Sequence, residues 1–145
     1  MQVVNFRSDR PSLDQTMLNI AAVLARRATC TKLAVGCVLT NRAGRIIGTG
    51  YNGVPHGMTH CTDKPCLGAT MPAGSDTCEA VHAEQNALLD CRAQDVHTCY
   101  TTHAPCLRCT KLLLNTSCKR LVFPPSPFEG SNLWMRSGRD VFVTS

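Results

Sequence analysis

Two short segments constrain this chain more than anything else in it: His82-Ala83-Glu84 and, 21 residues after Glu84, Pro105-Cys106-Leu107-Arg108-Cys109. Each alone says little, because a Cys-x-x-Cys can be redox-active, structural or incidental, and a lone histidine is more often a surface or core residue than a ligand. Together they supply one imidazole, two thiols and a carboxylate. Cys106 and Cys109, three apart in the first turn of a helix, fall on one face and can grip one ion. Pro105 suits a helix start, where no amide hydrogen is needed. The positive end of the helix dipole favours thiolate over thiol there. His82 is then a third ligand, which leaves one tetrahedral position open, as catalytic rather than structural zinc requires. On a regular helix His82 and Glu84 would point apart, so both must sit at its very beginning.

In this order the two segments match the zinc-deaminase signature, H-x-E followed by P-C-x-x-C. Zinc lowers the pKa of a bound water to about 7, so hydroxide is available at neutral pH. Glu84 is then the proton shuttle, moving the water's proton to the ring nitrogen and later to the departing amine. The alternative for Glu84 is a solvated first-turn carboxylate favoured by the dipole.

The chain of 145 residues suits a single domain over 1–145, and its 43% hydrophobic content is that of a globular protein. No run approaches the roughly 20 apolar residues of a membrane span. Met1 to Pro11 is polar and lacks the apolar core of a secretory signal, so an intracellular, cytoplasmic location is expected. The net charge of +5 is spread without a dense basic run, which suits a phosphorylated small molecule at least as well as a polymer. In a reducing compartment the ten cysteines favour metal ligation over disulfides. Cys37, Cys91, Cys99 and Cys118 have apolar neighbours and read as small core residues.

Ser12 and Gln15 form a capping-box pattern, and apolar residues at helical spacing predict a helix from about Leu13 to about Ala28. Strands are predicted at Ala34–Thr40 and Arg45–Tyr51, joined by an Asn41-Arg42-Ala43-Gly44 turn, and at Val96–Thr102, Lys119–Phe123 and Asp140–Thr144. Further helices are predicted at Val81–Leu89, from Cys106 to about Ser117, and at Ser131–Ser137, with a long aperiodic loop from Asn52 to about Thr77. The order predicts an α/β fold with one mixed sheet covered by helices.

Val35-Gly36, Gly50-Tyr51-Asn52-Gly53-Val54-Pro55-His56-Gly57, His82-Ala83-Glu84-Gln85-Asn86-Ala87 and the Pro-Cys-x-x-Cys run carry a resemblance to the deoxycytidylate deaminase family of the cytidine deaminase superfamily. It extends from about Leu18 to Thr144. The resemblance implies a three-layer α/β/α cytidine-deaminase-like fold with a mixed five-stranded sheet. It also implies zinc-dependent hydrolysis of a deoxycytidine nucleotide, best matched by dCMP to dUMP plus ammonia. It further implies a homo-oligomer, commonly a hexamer, and control by dCTP and dTTP. Asn52 is implied to hydrogen-bond the substrate, against the alternative of a plain Asn-Gly turn. Arginines clamp phosphate well, so Arg26, Arg27 and Arg108 are the first candidates for the 5′-phosphate. Arg26 and Arg27 could equally be charges complementing the dipole of the first helix. The sequence departs from the family pattern at His103-Ala104 and at Phe123, where relatives often carry tyrosine.

Some deoxycytidylate deaminases hold an extra zinc, and Cys30, Cys61, Cys66 and Cys78 would supply a closed structural site here, with His60 as a substitute for one thiolate. Two rivals share the catalytic motif. A deaminase of bases in RNA or single-stranded DNA, like the tRNA adenosine deaminases, needs basic and aromatic strand-binding surface, and aromatics are only 5% of this chain. A non-catalytic zinc scaffold would use a closed site rather than an open one beside a carboxylate. The choice among dCMP, dCTP and deoxycytidine stays open at this point.

Overall fold

Ser12 caps the first helix as its sequence predicts, its hydroxyl accepting the Gln15 amide hydrogen at 3.0 Å. In the computed structural model, which describes residues 9–72 and 78–144, this helix α1 spans Leu13–Ala25. Most of the polar N-terminal segment and residues 73–77 of the long loop lie outside the described residues. The helix stops short of Ala28. Its last turn tightens through Arg27 N to Leu24 O and Ala28 N to Ala25 O, and Thr29 then donates to Asn52 O instead.

Strands β1 (Gly36–Thr40), β2 (Ile46–Tyr51), β3 (Thr98–Thr101), β4 (Arg120–Phe123) and β5 (Asp140–Val143) form a five-stranded sheet in the order β2-β1-β3-β4-β5. β1 runs antiparallel to β2 and β3, whereas β3, β4 and β5 are mutually parallel, so the sheet is mixed. The antiparallel hairpin turns at Asn41, whose Oδ1 accepts from Ala43 N and Arg45 N, with Gly44 at φ 81°. Parallel neighbours need long crossovers. These are made by α3 (Leu107–Leu114), between β3 and β4, and α4 (Ser131–Arg136), between β4 and β5.

Alternation along the strands sorts the core into two layers. Val38, Tyr100 and Val122 pack with Met17, Leu18 and Ala21 of α1. Cys37, Leu39, Cys99, Leu121 and Phe123 pack on the other face, with Ala83 and Ala87 of α2 (Ala83–Leu88), Leu113 of α3 and Trp134 of α4. The sheet is therefore sandwiched between helices. Cys37, Cys99 and Cys118 are fully buried, as their apolar neighbours predict, and Cys91 is half-buried. α1 is tied to the sheet by Asp14, which receives Tyr100 Oη at 2.8 Å and Arg120 Nη2 at 2.9 Å. Two short 3₁₀ turns, Leu67–Thr70 and Ala93–Asp95, are too brief to leave a periodic signal. No described helix is long and apolar enough to cross a membrane.

The close approach of α2 to β2 sets the position of His82 and Glu84. A Cβ on Gly50 would overlap the Ala83 carbonyl oxygen and stand 2.6 Å from the Ala87 nitrogen. Only glycine there lets the helix backbone lie this close to the strand.

Candidate catalytic metal site

Each residue of His82-Ala83-Glu84-Gln85-Asn86-Ala87 has a task in placing the start of α2. His82 is the N-cap, in extended conformation with φ −71° and ψ 154°, so its side chain leaves the helix direction before Glu84 enters it. Gln85 reaches back to accept the His82 amide hydrogen at 2.9 Å, one half of a capping box. Asn86 donates to Tyr51 O at 2.9 Å, while the backbones of Ala83 and Ala87 lie against Gly48 and Gly50 of β2. Val81 is bridged on both sides to Gly53, which ties the Tyr51-Asn52-Gly53 segment to the residue preceding His82.

Cys106 is the N-cap of α3 rather than a member of its first turn, with its Sγ accepting from Cys109 N at 3.5 Å. The helix thus begins one residue later than expected, and Pro105 precedes the cap. Sulfur takes the capping role that a hydroxyl or carboxylate oxygen fills elsewhere. Ser126 supports this entry by accepting the Ala104 amide hydrogen at 2.9 Å, and Glu129 Oε1 accepts from Leu107 N at 3.0 Å. The irregular proline-rich stretch after β4 is therefore the buttress of the cysteine loop.

These two helix starts bring three donors together. His82 Nδ1 lies 3.3 Å from Cys109 Sγ and 3.5 Å from Cys106 Sγ, and the three atoms lie within 4.8 Å of one another. One nitrogen and two sulfurs, closely grouped and partly shielded, suit zinc. The Cys109 thiol hydrogen bond, followed by contact with His82, pulls Cys106 down to about 3. The same Cys106 partner and burial push Cys109 up, while Cys106 raises His82.

Glu84 is 4% exposed. Its Oε1 receives Thr101 Oγ1 at 3.0 Å, and the same hydroxyl lies 2.9 Å from His103 O. Thr101 is a positioning residue whose sequence context marks it only as part of a strand. No local motif singles it out, since it meets Glu84 solely because β3 ends beside α2. Thr101→Val keeps the shape and removes the hydrogen bond, so kcat should fall about tenfold, on the order of one charged hydrogen bond. Steady-state kinetics on the variant checks this, with an unchanged kcat counting against the positioning role.

His82, Glu84 and Cys106 line a cavity of about 520 Å³, within the range of small-molecule sites. Asn52, Arg108 and His103 line it too. Asn52 is 8% exposed, accepts from Val35 N at 2.8 Å and donates to Leu33 O, so it fixes the segment entering β1 as well as facing the cavity. Arg26 and Arg27 are exposed at the end of α1 and are not among the cavity-lining residues. His103 Nδ1 is 3.0 Å from Ala104 O. Phe123 is a core residue, edge-on to Phe128 at 5.2 Å.

Cys30, Cys61, Cys66 and Cys78 lie in one neighbourhood, since the other three all act on the charge of Cys78. They are not drawn into a tight set, for no three of them bring their sulfurs within 4.8 Å of one another. Cys61 is 3.5 Å from Thr31 Oγ1 and from Cys66 N, and these contacts lower it to about 7. His60 is exposed, its Nδ1 3.9 Å from Asp63 Oδ2. The loop is fastened to the end of α1 by Thr62 N to Thr29 O.

Residues 11–124 match the family described as the cytidine and deoxycytidylate deaminase zinc-binding region. The chain belongs to that family. It is 40% identical over 124 residues to a deoxycytidylate deaminase of Mycobacterium phage D29, covering 79% of this chain and 96% of the relative. The deoxycytidylate deaminase of Schizosaccharomyces pombe is 38% identical over 124 residues, but there the match spans 81% of this chain and only 38% of the relative's length. A structure of the dCMP deaminase from the cyanophage S-TIM5 in complex with dCMP and dUMP has the same fold, with TM-score 0.76 at 23% identity, covering 93% of this chain and 98% of that one.

Proposed function

We propose that this chain hydrolyses dCMP to dUMP and ammonia. The observation that carries this reading is a buried carboxylate, Glu84, at the start of the same helix whose cap, His82, joins Cys106 and Cys109 in a three-donor set. His82, Cys106 and Cys109 would hold zinc, which would make hydroxide available at neutral pH. Glu84 accepts the water's proton and delivers it to ring N3 as a C–O bond forms at the amine-bearing carbon. It then takes the proton of the hydroxyl now on that carbon and gives it to the amine as the C–N bond breaks and a C=O forms, so ammonia leaves and the uracil ring remains. Thr101 holds Glu84 in place, and Asn52 and Arg108 border the nucleotide. The relatives named deoxycytidylate deaminase support dCMP as the substrate.

The same reading includes a second zinc on Cys30, Cys61, Cys66 and Cys78, a cytoplasmic homohexamer, one domain for the whole activity, and regulation by dCTP and dTTP. The test is incubation with dCMP, dCTP, deoxycytidine, single-stranded DNA and RNA, following ammonia and the deaminated product. Turnover of dCMP ahead of every other substrate is expected. Deamination of a strand with dCMP untouched would transfer the assignment to the nucleic-acid deaminases.

A further inference from the structure

Lys32 is half-buried, and its ammonium makes no hydrogen bond among the described residues. Its Nζ is shut off from solvent. An ammonium so placed gives up hydration that a bound anion can replace. Lys32 lines the catalytic cavity, next to Leu33 and Val35, the residues that Asn52 grips by its side-chain oxygen and amide. Its backbone position is therefore set by a residue of the same cavity wall.

The charges around that cavity are unequal. Lys32, Arg108 and Lys111 are its cationic lining residues, and Glu84 and Glu129 are its carboxylates. Glu84 is occupied beside the metal donors and with Thr101, and Glu129 accepts from Leu107 N. Arg108 and Lys111 stand three residues apart on α3, on a different element from Lys32. A ligand with a neutral ring near Glu84 and a dianionic group near Lys32 would balance this arrangement.

We propose that Lys32 binds the 5′-phosphate of the nucleotide and is the residue that selects nucleotide over nucleoside. This rests on the reading of the cavity as a deoxycytidine nucleotide site. Arg26 and Arg27, just after α1, are the natural candidates by chemistry, but Lys32 and not they is among the cavity-lining residues, and its ammonium is covered in the unliganded protein.

The test compares Lys32→Met and Lys32→Arg with the unaltered protein, using kcat/KM for dCMP and for deoxycytidine, zinc content, and direct titration with dUMP. Lys32→Met should lower the preference for dCMP over deoxycytidine by about 10- to 100-fold, the worth of a charge-assisted hydrogen bond, chiefly through KM. It should weaken dUMP binding by a similar factor. Lys32→Arg should restore most of both. If both substrates lose the same factor, or zinc content falls because Lys32 offsets the charge of Cys30 and Cys78, the proposal is overturned. The dUMP titration separates this outcome from failure of the deaminase reading. A protein that deaminates nothing yet loses dUMP affinity in Lys32→Met keeps the phosphate site and loses the proposed reaction.

Discussion

Glu84→Gln should abolish deamination while leaving the metal in place. The amide has nearly the size and shape of the carboxylate, and its oxygen can still accept from Thr101 Oγ1, which now lies 3.0 Å from Glu84 Oε1. It cannot take a proton from water or carry one to N3. General acid–base catalysis is worth about 10²–10⁴-fold, and here a single group serves both transfers, so the loss in kcat should lie toward the upper end. Because Glu84 is 4% exposed, replacing a buried charge with a neutral group should leave the melting temperature unchanged or raise it. Ammonia release, zinc content and thermal unfolding measured on one preparation check all three parts. Near-normal turnover by the variant would remove Glu84 from the mechanism.

The grouping of His82, Cys106 and Cys109 was legible in the sequence because the chemistry is local in each half. Cys106 and Cys109 are bound by their spacing to one helix start, and His82 and Glu84 can work together only where a helix begins. The strand pattern was legible for the same reason, with alternation in β1, β3 and β4 feeding two core layers. The misplaced features were those decided by contacts between distant segments. Helical spacing carries α1 as far as Ala28, but Thr29 is claimed by Asn52 and Thr62, and the helix ends at Ala25. Cys106 became a cap because its sulfur, unlike that of an ordinary first-turn residue, faces the Cys109 amide. Thr101 and Lys32 carry no motif at all. Thr101 owes its place to the end of β3 meeting α2, and Lys32 to the grip of Asn52 on Leu33 and Val35.

Removing one sulfur should separate metal from fold. Cys109 is fully buried, so Cys109→Ser changes little in volume but substitutes a poor zinc ligand for a good one, leaving His82 and Cys106 as the remaining pair. Catalytic zinc should be lost and turnover with it. A ligand present at about a thousand times its dissociation constant stabilises by about 4 kcal/mol, so its loss should lower the melting temperature by about 10 °C or more in a chain of this size. Chelation of the unaltered protein should reproduce both effects, and added zinc should reverse them only in the unaltered protein. Metal analysis then reads the second site as well. With zinc also on Cys30, Cys61, Cys66 and Cys78, the unaltered protein should hold two ions per chain and Cys109→Ser one. One ion falling to none would leave the loop cysteines without zinc, and an ion count unaffected by Cys109→Ser would place the metal elsewhere and take the proposed chemistry with it.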